Sequence, residues 1–217
     1  MIRTIRVTGT GQMTVQPDTV HLLLTLTGAH DQYGKALEES AVSSGRLKQA
    51  LAAVGIQPDE LKTSLLTIDS KQEGFQDKDG QYKQRFVGFE YVHRLKLIMD
   101  VDRDKLGQVL TAFLESGVPV EFQILYQIRD PEAIKGELIK RAVLDAKGKA
   151  KNLADAAGVS LGKIMRMVYP REEIPLRHEV MRSARLTAPT AFGAVDPDLE
   201  PDDLKFTESV NVIWEIQ

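Results

Sequence analysis

Ser44-Gly45-Arg46-Leu47-Lys48-Gln49-Ala50-Leu51-Ala52-Ala53-Val54-Gly55-Ile56 is echoed, without a gap, by Lys147-Gly148-Lys149-Ala150-Lys151-Asn152-Leu153-Ala154-Asp155-Ala156-Ala157-Gly158-Val159. Each stretch reads as the last turns of a helix that stops at a glycine, the residue that takes the left-handed conformation of a helix end without a Cβ penalty. The flanks agree as well: a strand before each helix, then a short strand and a long strand after it. The repetition predicts an internal duplication of one supersecondary unit. It speaks for architecture and is silent on reaction chemistry.

Working outward, Ile2 to Thr8 reads as a strand, Gly9-Thr10-Gly11 as a turn, and Thr19 to Thr27 as a strand paired with the first, its Val20, Leu22, Leu24 and Leu26 on one face. A helix from about Gln32 to Val54 carries Leu37, Ala41, Ser44, Leu47, Leu51 and Val54 along its buried stripe. Leu61 to Asp69 and Phe86 to Met99 are expected to form a hairpin whose long tip, Lys71 to Gln84, is turn-rich. A short amphipathic helix follows, capped by Asp102 and ended by Gly117.

The pattern then restarts. A strand carries Val120, Phe122, Ile124, Tyr126 and Ile128 inward, and Asp130-Pro131 starts a helix whose stripe is Leu138, Ala142, Ala146, Ala150, Leu153 and Ala157. Strands over Leu161 to Val168 and Phe206 to Ile216 complete the second copy. Between Pro170 and Asp203, five prolines exclude a continuous helix or strand. The expected fold class is α+β: duplicated βαββ units in the order β-βαββ-α-βαββ, with mostly antiparallel sheets and long helices packed on their faces. Residues 1–217 are read as a single domain of two repeats, about 1–100 and 119–217, joined by helix 102–117, with a proline-rich insert 170–203.

Composition narrows the function classes. The chain is 217 residues long with 42% hydrophobic and 27% charged residues, ordinary for a globular protein. A net charge of −3 gives no basic face for phosphates, so no nucleic acid partner is expected. Without cysteine there is no disulfide, thiolate or Cys-ligated zinc. No apolar run is long enough to span a bilayer, and no export signal is apparent in the sequence as given. That points to the cytoplasm, or to the periplasm or secretion if an export segment has been removed.

Sites of chemistry fare poorly. Gly9-Thr10-Gly11 lacks the third glycine and the Gly-Lys-Ser/Thr of phosphate loops, so a tight turn is the better reading. His21, His30, His93 and His178 show no metal-ligand spacing, and His93, on the inward side of its strand, reads as a satisfied, half-buried histidine. Asp77-Lys78-Asp79-Gly80 lacks the later ligands of a calcium loop and reads as a hairpin turn. The acidic run Asp196, Asp198, Glu200, Asp202 and Asp203 is broken by prolines and reads as a solvated loop. No nucleophile elbow occurs. No catalytic residue, cofactor or metal is expected.

Two features suit contact with a partner. Gly45 and Gly148 stand on the outer sides of their helices, where each costs about 1 kcal/mol relative to alanine; a backbone approaching closely would use them. The insert interleaves Ile174, Leu176, Val180, Met181, Leu186 and Phe192 with Arg171, Arg177, Arg182 and Arg185, a mixture typical of interfaces.

Val7-Thr8-Gly9-Thr10-Gly11, Pro17-Asp18, Leu61-Lys62-Thr63, Val87-Gly88-Phe89, and the Ala142-to-Ala157 run into Gly158-Val159-Ser160-Leu161-Gly162 resemble the SIMPL domain family over nearly the whole chain. Phe89 stands where tyrosine is common. The resemblance implies kinship with secreted or periplasmic immunogenic proteins and proteins of oxidative-stress defence, some of which form ring-like or channel-like oligomers; it carries over no catalytic residues. The expected function is a non-enzymatic, self-associating protein linked to stress defence or the cell envelope, assembling through sheet edges and the proline-rich arm. The competing class is a small-molecule binder or enzyme in a cleft between the copies, with Arg94, Lys96 or the arm's arginines meeting an anion.

Overall fold

The computed structural model describes residues 2–76, 79–169, 183–186 and 200–217. Among these, β1 (Arg3–Val15), β2 (Thr19–His30), α1 (Tyr33–Ala53), β3 (Lys62–Gln76), β4 (Tyr82–Asp100), α2 (Arg103–Glu115), β5 (Val120–Gln127), α3 (Pro131–Ala156), β6 (Leu161–Val168), β7 (Ser183–Leu186) and β8 (Leu204–Ile216) follow in order. The strands form two antiparallel sheets, β3-β4-β2-β5-β7 and β1-β8-β6, and the class is α+β. The chain divides into two compact units, one of Met1–Pro17, Ile128–Arg177 and Pro201–Gln217, the other of Asp18–Gln127 and His178–Glu200.

The two glycine-capped helix ends are built alike. Ile56 N–H donates to Leu51 C=O and Gly55 N–H to Ala52 C=O; Val159 N–H donates to Ala154 C=O and Gly158 N–H to Asp155 C=O. This is the paired 6→1 and 5→2 bonding of a Schellman end, and it places Gly55 at φ 78° and Gly158 at φ 67°. Lys105 on α2 donates a further bond to the Val54 carbonyl, meeting the negative end of α1 with a cation. Asp102 and Asp130 cap α2 and α3 by accepting from the Lys105 and Ala133 amides.

In the five-stranded unit, Val20, Leu22, Leu24 and Leu26 of β2, with Val120, Phe122 and Ile124 of the neighbouring β5, share one core with Leu47 and Leu51 of α1 and Leu106, Val109 and Phe113 of α2. Burying Leu47 and Leu51 contributes roughly 1.5–3 kcal/mol each before entropy. The α1 stripe differs from the expected one at its start: Ala36 and Ser40 are buried, whereas Leu37 is 44% exposed. Hydrophobicity favoured Leu37, but the helix presents its smaller neighbours to the sheet.

In the three-stranded unit, α3 lies on β1 and β8 through Ala142, Ala146 and Ala150, against Val7, Val210, Val212 and Trp214. Ala154, not Leu153, continues the buried stripe, and Leu153 is 52% exposed. Alanine allows close approach. A Cβ on Gly9 would stand 2.0 Å from the Ala142 carbonyl oxygen, and one on Gly11 2.0 Å from that of Leu138.

Three expectations are corrected. Gly9-Thr10-Gly11 is the middle of β1, not a turn; its glycines are there to admit α3. β1 does not pair with β2 but runs antiparallel to β8 along its whole length, from Arg3 opposite Ile216 to Val15 opposite Leu204, while β2 pairs with β4 and β5. The strand before α3, β5, therefore sits beside β2, and the place beside β8 that a faithful copy would give it is taken by β1. Finally, Lys71 to Gln84 is mostly ladder: β3 and β4 stay paired out to Gln76 opposite Tyr82, forming an exposed ribbon. Cross-strand pairs hold the ribbon, with Arg85 bound to Glu73 at 3.0 Å and stacked 5.8 Å over Phe75, and Lys71 to Glu90 at 3.1 Å. Each such exposed ion pair is worth about 1 kcal/mol or less.

Candidate functional site

His93 points from β4 into the core of the five-stranded unit and is 6% exposed. Its Nδ1 lies 2.9 Å from the Ser40 Oγ of α1, and its Nε2 lies 2.9 Å from the Thr63 Oγ1 of β3. In a neutral ring one nitrogen donates and the other accepts, and a hydroxyl can fill either role, so the trio is fully satisfied without charge. Burial, with Lys48 nearby, moves the His93 pKa below its ordinary value against a smaller opposing effect of the Ser40 bond. The Ser–His spacing invites a nucleophile reading, but Ser40 is 1% exposed and the far nitrogen meets a hydroxyl rather than a carboxylate. The trio ties α1 to two strands. Ser40 escaped sequence reading because the helix stripe was drawn one residue away.

The other concentration of unusual features lies on strand edges. β6 is paired on one side, to β8, among the described residues, and it exposes Ile164, Met165, Met167 and Val168 within eight residues. Ile164 stands opposite Trp214 and Met167 opposite Val212, with register shifts between Leu161 and Arg166. β3 is the matching edge of the other sheet and exposes Leu65, Leu66 and Phe75. Its ribbon adds Tyr82, Phe86 and Val87 from β4, and Phe86 meets Phe89 edge-on, as does Tyr33. Gly88 shapes the ribbon's base: at φ 136°, its Cβ would fall 2.5 Å from the His30 carbonyl oxygen.

Gly45 and Gly148 are exposed on α1 and α3, and a Cβ on either would meet nothing within 4 Å. Arg185 lies on β7 opposite Glu121 in the register of β5. Ile174, Leu176, Arg177, Met181, Arg182 and Phe192 lie outside the described residues, as does His178. Arg94 is exposed and alternates with the inward His93 and Leu95. Among the described residues no three His, Cys, Asp or Glu side chains are grouped to hold a metal ion. Nor is any described helix long and apolar enough to cross a membrane.

Residues 5–214 match the SIMPL family, described as a protein of unknown function (DUF541). The chain belongs to the SIMPL family. It is 26% identical over 216 residues to the 26 kDa periplasmic immunogenic protein of Brucella melitensis biotype 1, an alignment covering 98% of this chain and 84% of the relative. The protein of the same name from Brucella abortus strain S19 is similar to the same extent. The SIMPL motifs of the sequence now have physical roles: Val7 to Gly11 is the strand that α3 covers, Val87-Gly88-Phe89 is the ribbon base, and Ala142 to Ala157 includes the close-packed helix face.

Proposed function

We propose that this SIMPL protein is a non-enzymatic, self-associating protein of the periplasm that serves the cell envelope or stress defence as an assembly. The periplasmic location is supported by the names of the Brucella relatives. Self-association is supported by β6, an edge strand carrying Ile164, Met165, Met167 and Val168 in the open. Edges of this kind are commonly guarded by charge, proline or cover; β6 carries the exposed Lys163 and Arg166 and yet, among the described residues, has no strand on its outer side and keeps these four apolar side chains in the open.

Magnitudes set the number of contacts. Covering the exposed half of four such side chains recovers on the order of 3–6 kcal/mol, half the full-burial value of each. Fixing two bodies together costs about 4–15 kcal/mol. β6 alone therefore supports a weak pair, and a stable assembly needs a second surface. The aromatic ribbon of β3 and β4 supplies one; the arm of residues 170–203 and the bare helix patches at Gly45 and Gly148 are further candidates. Light scattering coupled to size exclusion tests the reading: species larger than monomer are expected at micromolar concentration, and Ile164→Lys with Met167→Lys is expected to shrink them while the circular dichroism spectrum is unchanged. A wild-type protein that is monomeric under these conditions overturns it.

A further inference from the structure

At the opposite edge of the same three-stranded sheet, as the described residues form it, side chains of α3 bond the middle of β1. Thr10 N–H, on the side of β1 away from β8, donates to the Asp145 carboxylate at 2.7 Å. Two residues on, the Gln12 carbonyl accepts from Arg141 at 3.0 Å; two residues back, the Thr8 carbonyl accepts from Lys149 at 3.4 Å. Lys149 also bonds Asp145 at 2.7 Å, and Arg141 bonds Glu137 at 3.3 Å, so two ion pairs follow one another along the helix.

The match is geometric. Four helical residues advance about 6.0 Å, and two strand residues about 6.6–6.8 Å. Residues 141, 145 and 149 of α3 thus keep step with 12, 10 and 8 of β1 as the two run in opposite directions. Of the backbone groups at this edge, the Thr8 carbonyl, Thr10 amide and Gln12 carbonyl are met in turn by cation, anion and cation. Gly9 and Gly11, facing α3, permit the approach that brings these side chains to the edge. Lys149 first, and then the Thr10 amide, hold the Asp145 carboxyl below its ordinary pKa, so it stays an acceptor.

We propose that Arg141, Asp145 and Lys149 lock the free edge of β1 against strand addition, so that this sheet accepts a second copy of the chain only at β6. The partner in this statement rests on the self-association reading above; the lock does not. A sheet with two open edges adds copies head to tail in an unending row, β6 on β1. With β1 shut, the remaining contact is β6 against β6, which is self-complementary and stops at a pair. The lock gives the sheet one sticky end instead of two.

The test uses the full chain as wild type and as Arg141→Ala/Asp145→Ala/Lys149→Ala. Backbone amide exchange at Thr10 is expected to be slow in the wild type, although among the described residues its strand edge has no neighbouring strand, and about 10–100-fold faster in the variant, the range of one charge-assisted hydrogen bond. Light scattering is expected to show the variant growing with concentration into species larger than any the wild type forms. Should the triple variant fail to fold, Asp145→Ala alone, with both cations kept, carries the Thr10 measurement. A Thr10 amide that exchanges as fast as a solvated one in the wild type overturns the lock, as does a folded variant whose mass matches wild type at every concentration. A monomeric wild type beside a polymerising variant upholds the lock and removes the self-association reading. A paired wild type beside an equally paired variant does the reverse.

Discussion

His93 carries a pH dependence whose sign follows from its surroundings. Its folded pKa lies below the ordinary 6.5, chiefly because burial disfavours the imidazolium. Above the ordinary value of 6.5 both folded and unfolded chains hold it neutral and the trio contributes in full. As the pH falls below it, the unfolded chain takes up the proton first, and stability is lost at up to about 1.4 kcal/mol per pH unit for one proton. Urea unfolding between neutral and mildly acidic pH is expected to show this loss, and His93→Gln, which keeps hydrogen-bonding capacity without the titration, is expected to flatten that part of the curve. An identical slope in the variant would place the acid sensitivity elsewhere. The inward direction of His93 was legible from strand alternation, which has a period of two and tolerates no ambiguity of face. Its partner Ser40 was not, because neighbouring helical residues lie only about 100° apart and Leu37 outweighed Ala36 in setting the stripe.

Among elements, the decisive one is the pairing of α3 with β1. Gly9-Thr10-Gly11 looked like a turn because glycine is commonest there; here the missing Cβ atoms make room for a helix backbone, a use that local sequence cannot distinguish from a bend. Gly9→Ala would force its Cβ to within 2.0 Å of the Ala142 oxygen. Overpacking of this kind costs roughly 1–3 kcal/mol or more, and thermal denaturation is expected to show a lower midpoint; an unchanged midpoint would mean α3 shifts freely on its sheet. Gly45→Ala and Gly148→Ala have the opposite sign. Each enters open space on an exposed helix and is expected to stabilise the isolated chain by about 1 kcal/mol, while weakening association if another backbone rests there. Raised stability with unaltered association would discard those two contacts. The glycine-capped helix ends, by contrast, were readable outright, because a Schellman end is fixed by a few adjacent residues. The ribbon was read as a loose tip since Lys71 to Gln84 is polar apart from Phe75 and Tyr82, and hydrophobic alternation is blind to a strand pair that faces water on both sides.

At the scale of the whole molecule, strand content and the α+β class were visible in the sequence, but the partner of β1 was not. Nothing local marks β8, some two hundred residues away, as its neighbour; the choice is made by the length of the two ladders and the helix that covers them. The β5 strand, with Val120, Phe122 and Ile124 in the core of the five-stranded unit, has its apolar face already spent beside β2. A chain with one self-complementary contact stops at a dimer, and one with two, such as β6 and the aromatic ribbon, continues into rings or rows. The most direct measurement of this account is backbone amide exchange across 161–168 in the wild-type chain as a function of concentration. Protection of β6 is expected to rise with concentration while protection along β1 stays constant; protection of β6 that does not change across a range in which scattering shows assembly would contradict the claim that copies of the chain meet at this edge.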